Sequence, residues 1–313
     1  YKKSTNIIDF EFYENNVVLL LNEGNHHYIR LVNDYDSALT KLQVSEKSRE
    51  LYADCYGKIL LIEKDSVFPI RFFPSFIEQQ AGYSFKTFEK TVKPCQTVTS
   101  SSIVTAKYGL HNQGLAYFIV DQTSQKQKLL HLILDKESTV SINDYVSQNL
   151  AGYNEQVVSS TTKDRIANGN IRTRQRNYDF YKLVLSRPIY NPIFNIRDSL
   201  FLFDHLLETV NIYSSNGKIC RTFPVNYHKD KSWRQLILKD YATDKVFIVF
   251  KEKTRIQLKQ LNLQNGKLSK GFLLESHNFP KKIKVKDGSV YYLYQNNNGQ
   301  NPTKLIYKQT IDL

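Results

Sequence analysis

Asn211-Ile-Tyr-Ser-Ser-Asn216-Gly217-Lys218-Ile-Cys-Arg-Thr-Phe-Pro-Val225 and Asn262-Leu-Gln-Asn265-Gly266-Lys267-Leu-Ser-Lys-Gly-Phe-Leu-Leu274 read almost alike, about 49 residues apart. Each is a strand, an Asn-Gly turn and a returning strand, and a strand-built repeat of this length marks a propeller blade. A two-residue mirror-image hairpin turn is expected at each Asn-Gly pair, with positive φ at both positions. A second marker precedes each pair: turn residues followed by a run of large apolar side chains. It reads Asp198-Ser-Leu-Phe-Leu-Phe203 and Asp244-Lys-Val-Phe-Ile-Val-Phe250, and it recurs as Asn15-Asn16-Val-Val-Leu-Leu-Leu21, Gly57-Lys-Ile-Leu-Leu-Ile62, Gly114-Leu-Ala-Tyr-Phe-Ile-Val120 and Asp287-Gly288-Ser-Val-Tyr-Tyr-Leu-Tyr294.

Strand-like runs flank these markers, such as Ile7-Ile-Asp-Phe-Glu-Phe12 before the first and Lys282-Ile-Lys-Val-Lys286 before the last. Four short antiparallel strands per marker predict an all-β, six-bladed β-propeller as one domain over 1–313. The apolar runs are then second strands, buried on both faces, which need not alternate. A pair of β-sandwiches also supplies many short strands, but it does not predict one marker recurring throughout. Marker spacings of about 41, 57, 84, 46 and 44 residues place insertions near 74–94 and 138–178. Within the second, Ser141 to Gly152 reads as a short capped helix and the stretch to Asn177 is polar. The last unit lacks a fourth strand while Tyr1-Lys-Lys-Ser-Thr5 precedes the first unit unused, so closure by strand exchange between the termini is expected.

With 41% apolar residues, the chain can bury a large core, and no apolar run reaches the length of a membrane span. Cys55, Cys95 and Cys220 show no metal-type spacing and cannot all pair within one chain; Cys55 and Cys220, inside strand patterns, are expected to pack as small hydrophobes. Methionine is absent altogether.

The six marker hairpins, with the Asn-Gly-Lys turns at 216–218 and 265–267, resemble the six-bladed propellers of the NHL/TolB-like group. The Lys-, Asn- and Tyr-rich style is similar to exported propeller lipoproteins of gut-type Gram-negative bacteria. The resemblance implies a periplasmic or cell-surface protein, lipid-anchored through a leader and cysteine that this sequence does not contain. It implies no particular chemistry.

No phosphate loop, zinc helix, nucleophile elbow or sialidase-type Asp-box occurs. Asp9, Asp54 and Asn195 fall on candidate innermost strands and read as lining a wet channel. A bound cation there would require six or more converging oxygens, so neither metal nor cofactor is expected. His26-His27 is read as a surface turn, since neighbouring residues on a strand point oppositely. The net charge of +13 is concentrated. Lys163, Arg165, Arg172, Arg174 and Arg176 crowd one insertion, and guanidinium clusters favour planar anions. Lys282, Lys284 and Lys286 alternate as a solvent-facing strand edge would. His228, Trp233 and Arg234 lie on a blade-to-blade connection, with a Trp-Arg pair typical of interface hot spots.

These features favour a non-catalytic ligand- or partner-binding scaffold that takes an anionic ligand, acidic glycan or acidic protein. It would bind through Arg172, Arg174, Arg176, His228, Trp233 and Arg234, on the face carrying the blade-to-blade connections. Nucleic acid is disfavoured because no recognised module appears. The alternative is a hydrolase or lyase acting on an anionic sugar or lactone through converging carboxylates.

Overall fold

The structure, a computed structural model, describes residues 5–33, 37–109, 114–135, 189–275, 277–296 and 303–312. It is all-β, with six antiparallel blades set around a common axis. The first blade is β1 (Thr5–Tyr13), β2 (Asn16–Glu23), β3 (His26–Val32) and β4 (Ala38–Val44). The second is β5 (Glu50–Ala53), β6 (Ile59–Ile62), β7 (Ser66–Phe72) and β8 (Ile77–Gln79), with β9 (Tyr83–Ser84) also pairing β7. The third comprises β10 (Cys95–Val98), β11 (Ser102–Tyr108), β12 (Gly114–Asp121) and β13 (Gln127–Leu134). The fourth comprises β14 (Ile193–Ile196), β15 (Ser199–Asp204), β16 (Thr209–Ser214) and β17 (Ile219–Pro224). The fifth is β18 (Trp233–Lys239), β19 (Val246–Glu252), β20 (Arg255–Gln260) and β21 (Phe272–Leu273), and the sixth is β22 (Asn278–Lys286), β23 (Ser289–Asn296) and β24 (Thr303–Thr310).

The chain divides into two compact units. Residues 1–103 with 192–313 form one, holding five blades, β10 and the start of β11; residues 104–191 form the other. In the smaller unit the buried Tyr117 on β12 donates its hydroxyl to the Asn191 carbonyl, anchoring the chain end that leaves the third blade.

In the larger unit, first strands of successive blades lie side by side: β1 with β5, β10 with β14 and β18 with β22. The second strands here are apolar runs of the sequence, whereas in the third blade the marker run Gly114–Val120 forms the third strand, β12, and its burial alternates. Val17–Leu21 on β2, all of β6, Leu200–Asp204 on β15 and all of Val246–Phe250 on β19 are buried. Each such side chain taken from water contributes on the order of 1.5–3 kcal/mol, which explains why the runs do not alternate. The insertion near 74–94 holds β8, β9 and a helix, α1 (Phe85–Thr91), that the sequence reading did not anticipate. Ser84 caps α1 by accepting the Thr87 amide at 3.1 Å, and Phe88 anchors it in a cluster with Leu60, Ile62 and Val67. The insertion at 138–178 lies outside the described residues.

The turns depart from expectation. In both Asn-Gly pairs only glycine takes positive φ, Gly217 at 78° and Gly266 at 74°. The asparagine oxygens instead accept the amides of Lys218 at 3.3 Å and Lys267 at 3.0 Å, so each closes a wider, side-chain-capped loop. A Cβ on Gly266 would meet the Pro224 carbonyl at 2.2 Å, so this loop needs glycine for close approach to β17 as well. Two-residue mirror turns occur elsewhere, at Arg197-Asp198 (φ 49° and 58°) and Asp287-Gly288 (φ 48° and 67°).

The expected strand exchange between the termini falls largely on residues 1–4. Thr5 is the first residue of β1, paired with Glu23 in the first blade, and the sixth blade has three described strands. Residues 1–4 lie outside the described residues. Between β24 and β1 the Lys304 amide donates to Asn6 Oδ1 at 2.7 Å, and Ile306 packs against the cluster that holds Ile7, Phe10 and Phe12.

The cysteines are a correction. Cys55 and Cys95 form a disulfide across 40 residues of chain, joining the β5–β6 turn to β10, while Cys220 on β17 is exposed rather than packed. Spacing could not reveal this because the fold, not the local sequence, brings the two residues together. Closing a loop of this length removes about 4 kcal/mol of unfolded-state entropy in the chain-entropy model. Replacing both residues with Ser is therefore expected to cost about 2–4 kcal/mol in denaturant melts. A curve that matches the wild type would remove the bond from the stability account.

A buried carboxylate ties the fifth blade to the sixth. Asp240 is fully buried, and its two oxygens accept the amides of Ala242, Thr243, Asp287 and Gly288 at 2.8–3.1 Å. Burial raises its pKa, but the amides of Gly288, Ala242 and Asp287 outweigh this and hold it below the ordinary carboxylate value. The stability it contributes is fully present above the unfolded value near about 3.9. It is lost as pH falls through the lower folded value. Asp240→Asn should cost about 1.5–3 kcal/mol at neutral pH. Denaturant midpoints measured against pH should show wild type and variant converging in acid; parallel curves would contradict this account.

Candidate functional site

One side of β22 carries three alternating lysines that meet the first blade. Ile283 and Val285 pack into the core with the fifth blade, which leaves Lys282, Lys284 and Lys286 facing β1. The alternating lysines are thus not a solvent-facing edge. Alternation identifies a strand face, but the neighbouring first blade decides what that face meets.

Lys282 is central. Its ammonium lies 2.6 Å from Asp9 Oδ2, 3.1 Å from Glu11 Oε1 and 2.9 Å from the Leu51 carbonyl. Asp9 also accepts the Leu51 amide at 2.7 Å, and Lys284 bonds the far oxygen of Glu11. Lys286, 4% exposed, sits with its ammonium 5.6 Å over the Phe12 ring. Residues from the sixth, first and second blades therefore meet in one network.

The backbone bends to make it. β22 shifts register on both sides of Lys281, β1 shifts between Ile7 and Asp9, and Lys282 adopts φ 44°. A non-glycine residue in this region carries backbone strain, and bulges of this kind re-aim side chains beside functional sites. Burial pushes the Asp9 carboxyl above the ordinary range despite the charge and hydrogen bond of Lys282. Burial likewise lowers Lys284.

Above this network lies a pocket of about 220 Å³ lined by Asp9, Arg49, Lys281, Lys282, Tyr294 and Lys304, among others. Arg49 stands in the connection from the first blade to the second, so the pocket opens on the face of the blade-to-blade connections. Among the described residues no carboxylate pairs with Arg49, Lys281 or Lys304, and all three are exposed. The single acid of the wall, Asp9, is already matched by Lys282. The pocket thus has an excess of cations.

A larger cleft of about 1230 Å³ opens between the fourth and fifth blades. Its two arginines are engaged: Arg197 pairs with Asp244 at 2.6 Å, and Arg221 donates to the carbonyls of Leu263 and Gln264 at 2.8 Å. Lys245 and Lys267 on its wall also pair with no carboxylate among the described residues, but the smaller pocket gathers three such cations into a much smaller space.

The other sequence candidates fall as follows. Asp54 lies beyond β5, where it accepts the amides of Tyr56 and Lys58 and shapes the turn rather than the channel. Asn195, on β14, donates to the Val98 carbonyl at 2.6 Å. Asp9, Asp54 and Asn195 thus serve three separate backbone contacts. His228 and Trp233 belong to a packed ring cluster. The Trp233 ring lies 4.8 Å from that of His205 at a tilt of 57°, His205 bonds the Tyr227 hydroxyl at 2.9 Å, and burial lowers the His228 pKa. Arg234 is exposed. Arg172, Arg174 and Arg176 lie outside the described residues. His26 and His27 open β3 rather than forming a turn, and His27 contacts Asn22 at 3.3 Å. Among the described residues no three His, Cys, Asp or Glu side chains form a metal-holding group, and no helix there is long and apolar enough to cross a membrane.

Three solved structures show the level of similarity to known proteins. A catalytically inactive virginiamycin B lyase from Staphylococcus aureus with quinupristin is 11% identical over 100% of this chain and 86% of that one, with TM-score 0.38. A luciferin-regenerating enzyme is 9% identical over 97% and 91%, with TM-score 0.41. Hsv2 of Kluyveromyces lactis is 11% identical over 99% and 100%, with TM-score 0.34. Likeness at this level carries no argument about chemistry. No protein-family model and no curated protein matches the sequence.

Breaking the network from one side leaves an uncompensated buried charge, which costs about 3–5 kcal/mol. Lys282→Met should destabilise by this amount in urea melts, and adding Asp9→Asn should recover part of the loss. Additive losses would show that the two groups are not coupled.

Proposed function

We propose that this propeller is a non-catalytic binding protein that holds an anionic ligand or acidic partner at the pocket between its last and first blades. The observation that carries the reading is the pocket's charge balance: Arg49, Lys281 and Lys304 lack acidic partners among the described residues, and the one wall carboxylate is paired with Lys282. Converging cations hold carboxylate, sulfate or phosphate through charge-assisted hydrogen bonds. The Arg172, Arg174 and Arg176 cluster and the exposed Arg234 belong to the same proposal, as further contacts for an extended partner such as an acidic glycan.

The protein is further proposed to work outside the reducing cytosol, as an exported, NHL/TolB-like lipoprotein. The Cys55–Cys95 bond supports an oxidising compartment, where such bonds persist.

One observation supports the alternative reading as a hydrolase or lyase. The raised Asp9 carboxyl on the pocket wall is the kind of group that serves as a general acid. Its partner, however, is a lysine, and Glu11, the neighbouring acid, is bonded to Lys282 and Lys284.

Calorimetric titration at low salt with citrate, inorganic phosphate and oligogalacturonate tests the binding reading. At least one should bind, and Lys281→Ala with Lys304→Ala should weaken it roughly tenfold or more, with a steep salt dependence. Binding that ignores both substitutions and salt, or no binding by any of the three, would overturn the pocket assignment. Release of a new product from the oligogalacturonate would favour the enzyme.

A further inference from the structure

The cleft of about 1230 Å³ between the fourth and fifth blades shares no wall residue with the pocket at the last-to-first joint. Its walls include the turns before β15 and β19 and the loop that connects β20 to β21. Among the described residues they carry four cations, Arg197, Arg221, Lys245 and Lys267, and one acid, Asp244, already paired with Arg197 at 2.6 Å. The loop wall is fixed before any ligand arrives. Arg221 reaches from β17 to the carbonyls of Leu263 and Gln264 at 2.8 Å. The Asn262 amide donates to the Lys267 carbonyl at 2.8 Å, and the Gln260 amide to Ser269 Oγ at 2.9 Å. Such a wall pays little ordering cost on binding.

The same loop leaves hydrogen-bonding groups unused. Asn262 and Asn265 spend their side-chain oxygens on the amides of Gln264 at 2.8 Å and Lys267 at 3.0 Å. Their Nδ2 groups, and the side-chain amides of Gln260 and Gln264, bond nothing among the described residues. Side-chain amides both donate and accept, which matches the repeating C=O and N–H of an extended peptide whatever its sequence. Phe201, Ile212 and Leu261 supply apolar wall between these groups and the two unpaired ammonium groups. Small ligands occupy clefts of about 300–1,000 Å³, so this one has room for a longer segment. A glycan suits it less well, because sugar rings stack on exposed aromatic side chains. The one aromatic residue on this wall among the described residues, Phe201, is 9% exposed. We propose that the cleft between the fourth and fifth blades is a second binding site, which takes an extended peptide segment rich in acidic and apolar residues. Its backbone bonds the amides of Gln260, Asn262, Gln264 and Asn265, its carboxylates meet Lys245 and Lys267, and an apolar side chain covers Phe201 and Leu261.

Selection of displayed random dodecapeptides on the immobilised full chain, followed by fluorescence anisotropy with the enriched sequences, tests the proposal. Enriched sequences should combine acidic and apolar residues. Lys245→Ala with Lys267→Ala should weaken their binding roughly tenfold or more and flatten its salt dependence. Gln260→Ala with Gln264→Ala should weaken it at every salt concentration, and both variants should keep the wild-type melting curve. No enrichment, enrichment of sequences without acids, or binding that either double substitution leaves intact overturns the proposal. So does binding that is lost with Lys281→Ala and Lys304→Ala instead, since the peptide would then sit in the pocket at the last-to-first joint. Oligogalacturonate held through Lys245 and Lys267, with no peptide bound, would assign the cleft to a glycan and overturn it as well.

Discussion

The Lys282 ammonium, held by Asp9, Glu11 and the Leu51 carbonyl, is the constraint on which the closed arrangement of the larger unit depends. Blades built in sequence must return to the start, and the last must meet the first in one register. Apolar packing between blades is nondirectional and tolerates small slips. A buried ionic contact does not. A one-residue slip of β1 would present Phe10 and Phe12 to the lysines in place of Asp9 and Glu11, stranding charges on both sides. The bulges in β1 and β22 and the left-handed φ of Lys282 are the geometric cost of bringing the groups within 3.1 Å. Such a network adds little net stability over an apolar core of equal volume, but it strongly penalises the wrong alignment.

The same lysine connects architecture to chemistry. By matching Asp9 it leaves Arg49, Lys281 and Lys304 as the uncompensated groups of the pocket above. Asp240 does comparable work one joint earlier, where a single carboxylate satisfies amides from the β18–β19 turn of the fifth blade and the β22–β23 hairpin of the sixth. Closure in this protein is largely a matter of buried acids placed where backbone or ammonium donors from the next blade arrive.

The blade count was legible because it rests on local composition: a second strand buried on both faces must be an apolar run, as Val17–Leu21 and Val246–Phe250 are. What lay beyond reading was set by distant partners. Period-2 lysines announce a strand but not whether water or a neighbouring blade faces them. Asp9 could be placed on an inner strand, yet its partner at position 282 is far along the chain, and Arg49 and Lys304 join the pocket with no local signal. Trp233 next to Arg234 looked like an exposed pair; His205 and Tyr227 turn the indole inward and leave only the arginine outside. The Asn-Gly pairs mark turns, but the asparagine carbonyls capture backbone amides and leave the left-handed conformation to glycine alone.

The Cys55–Cys95 bond encloses β6 to β9, α1 and the loop carrying Phe76, which is 50% exposed. A protease that cuts within this loop produces two polypeptides that stay covalently joined, with the second blade's strands still hydrogen-bonded to one another. In a compartment rich in proteases and free of thiols, the nicked protein keeps its assembled ring. After reduction, the same cut frees the first blade and part of the second from the rest of the covalent chain. Tolerance to cleavage is thus conditional on redox state, and the most exposed aromatic stack of the insertion, Phe73 on Phe76, sits where that condition applies.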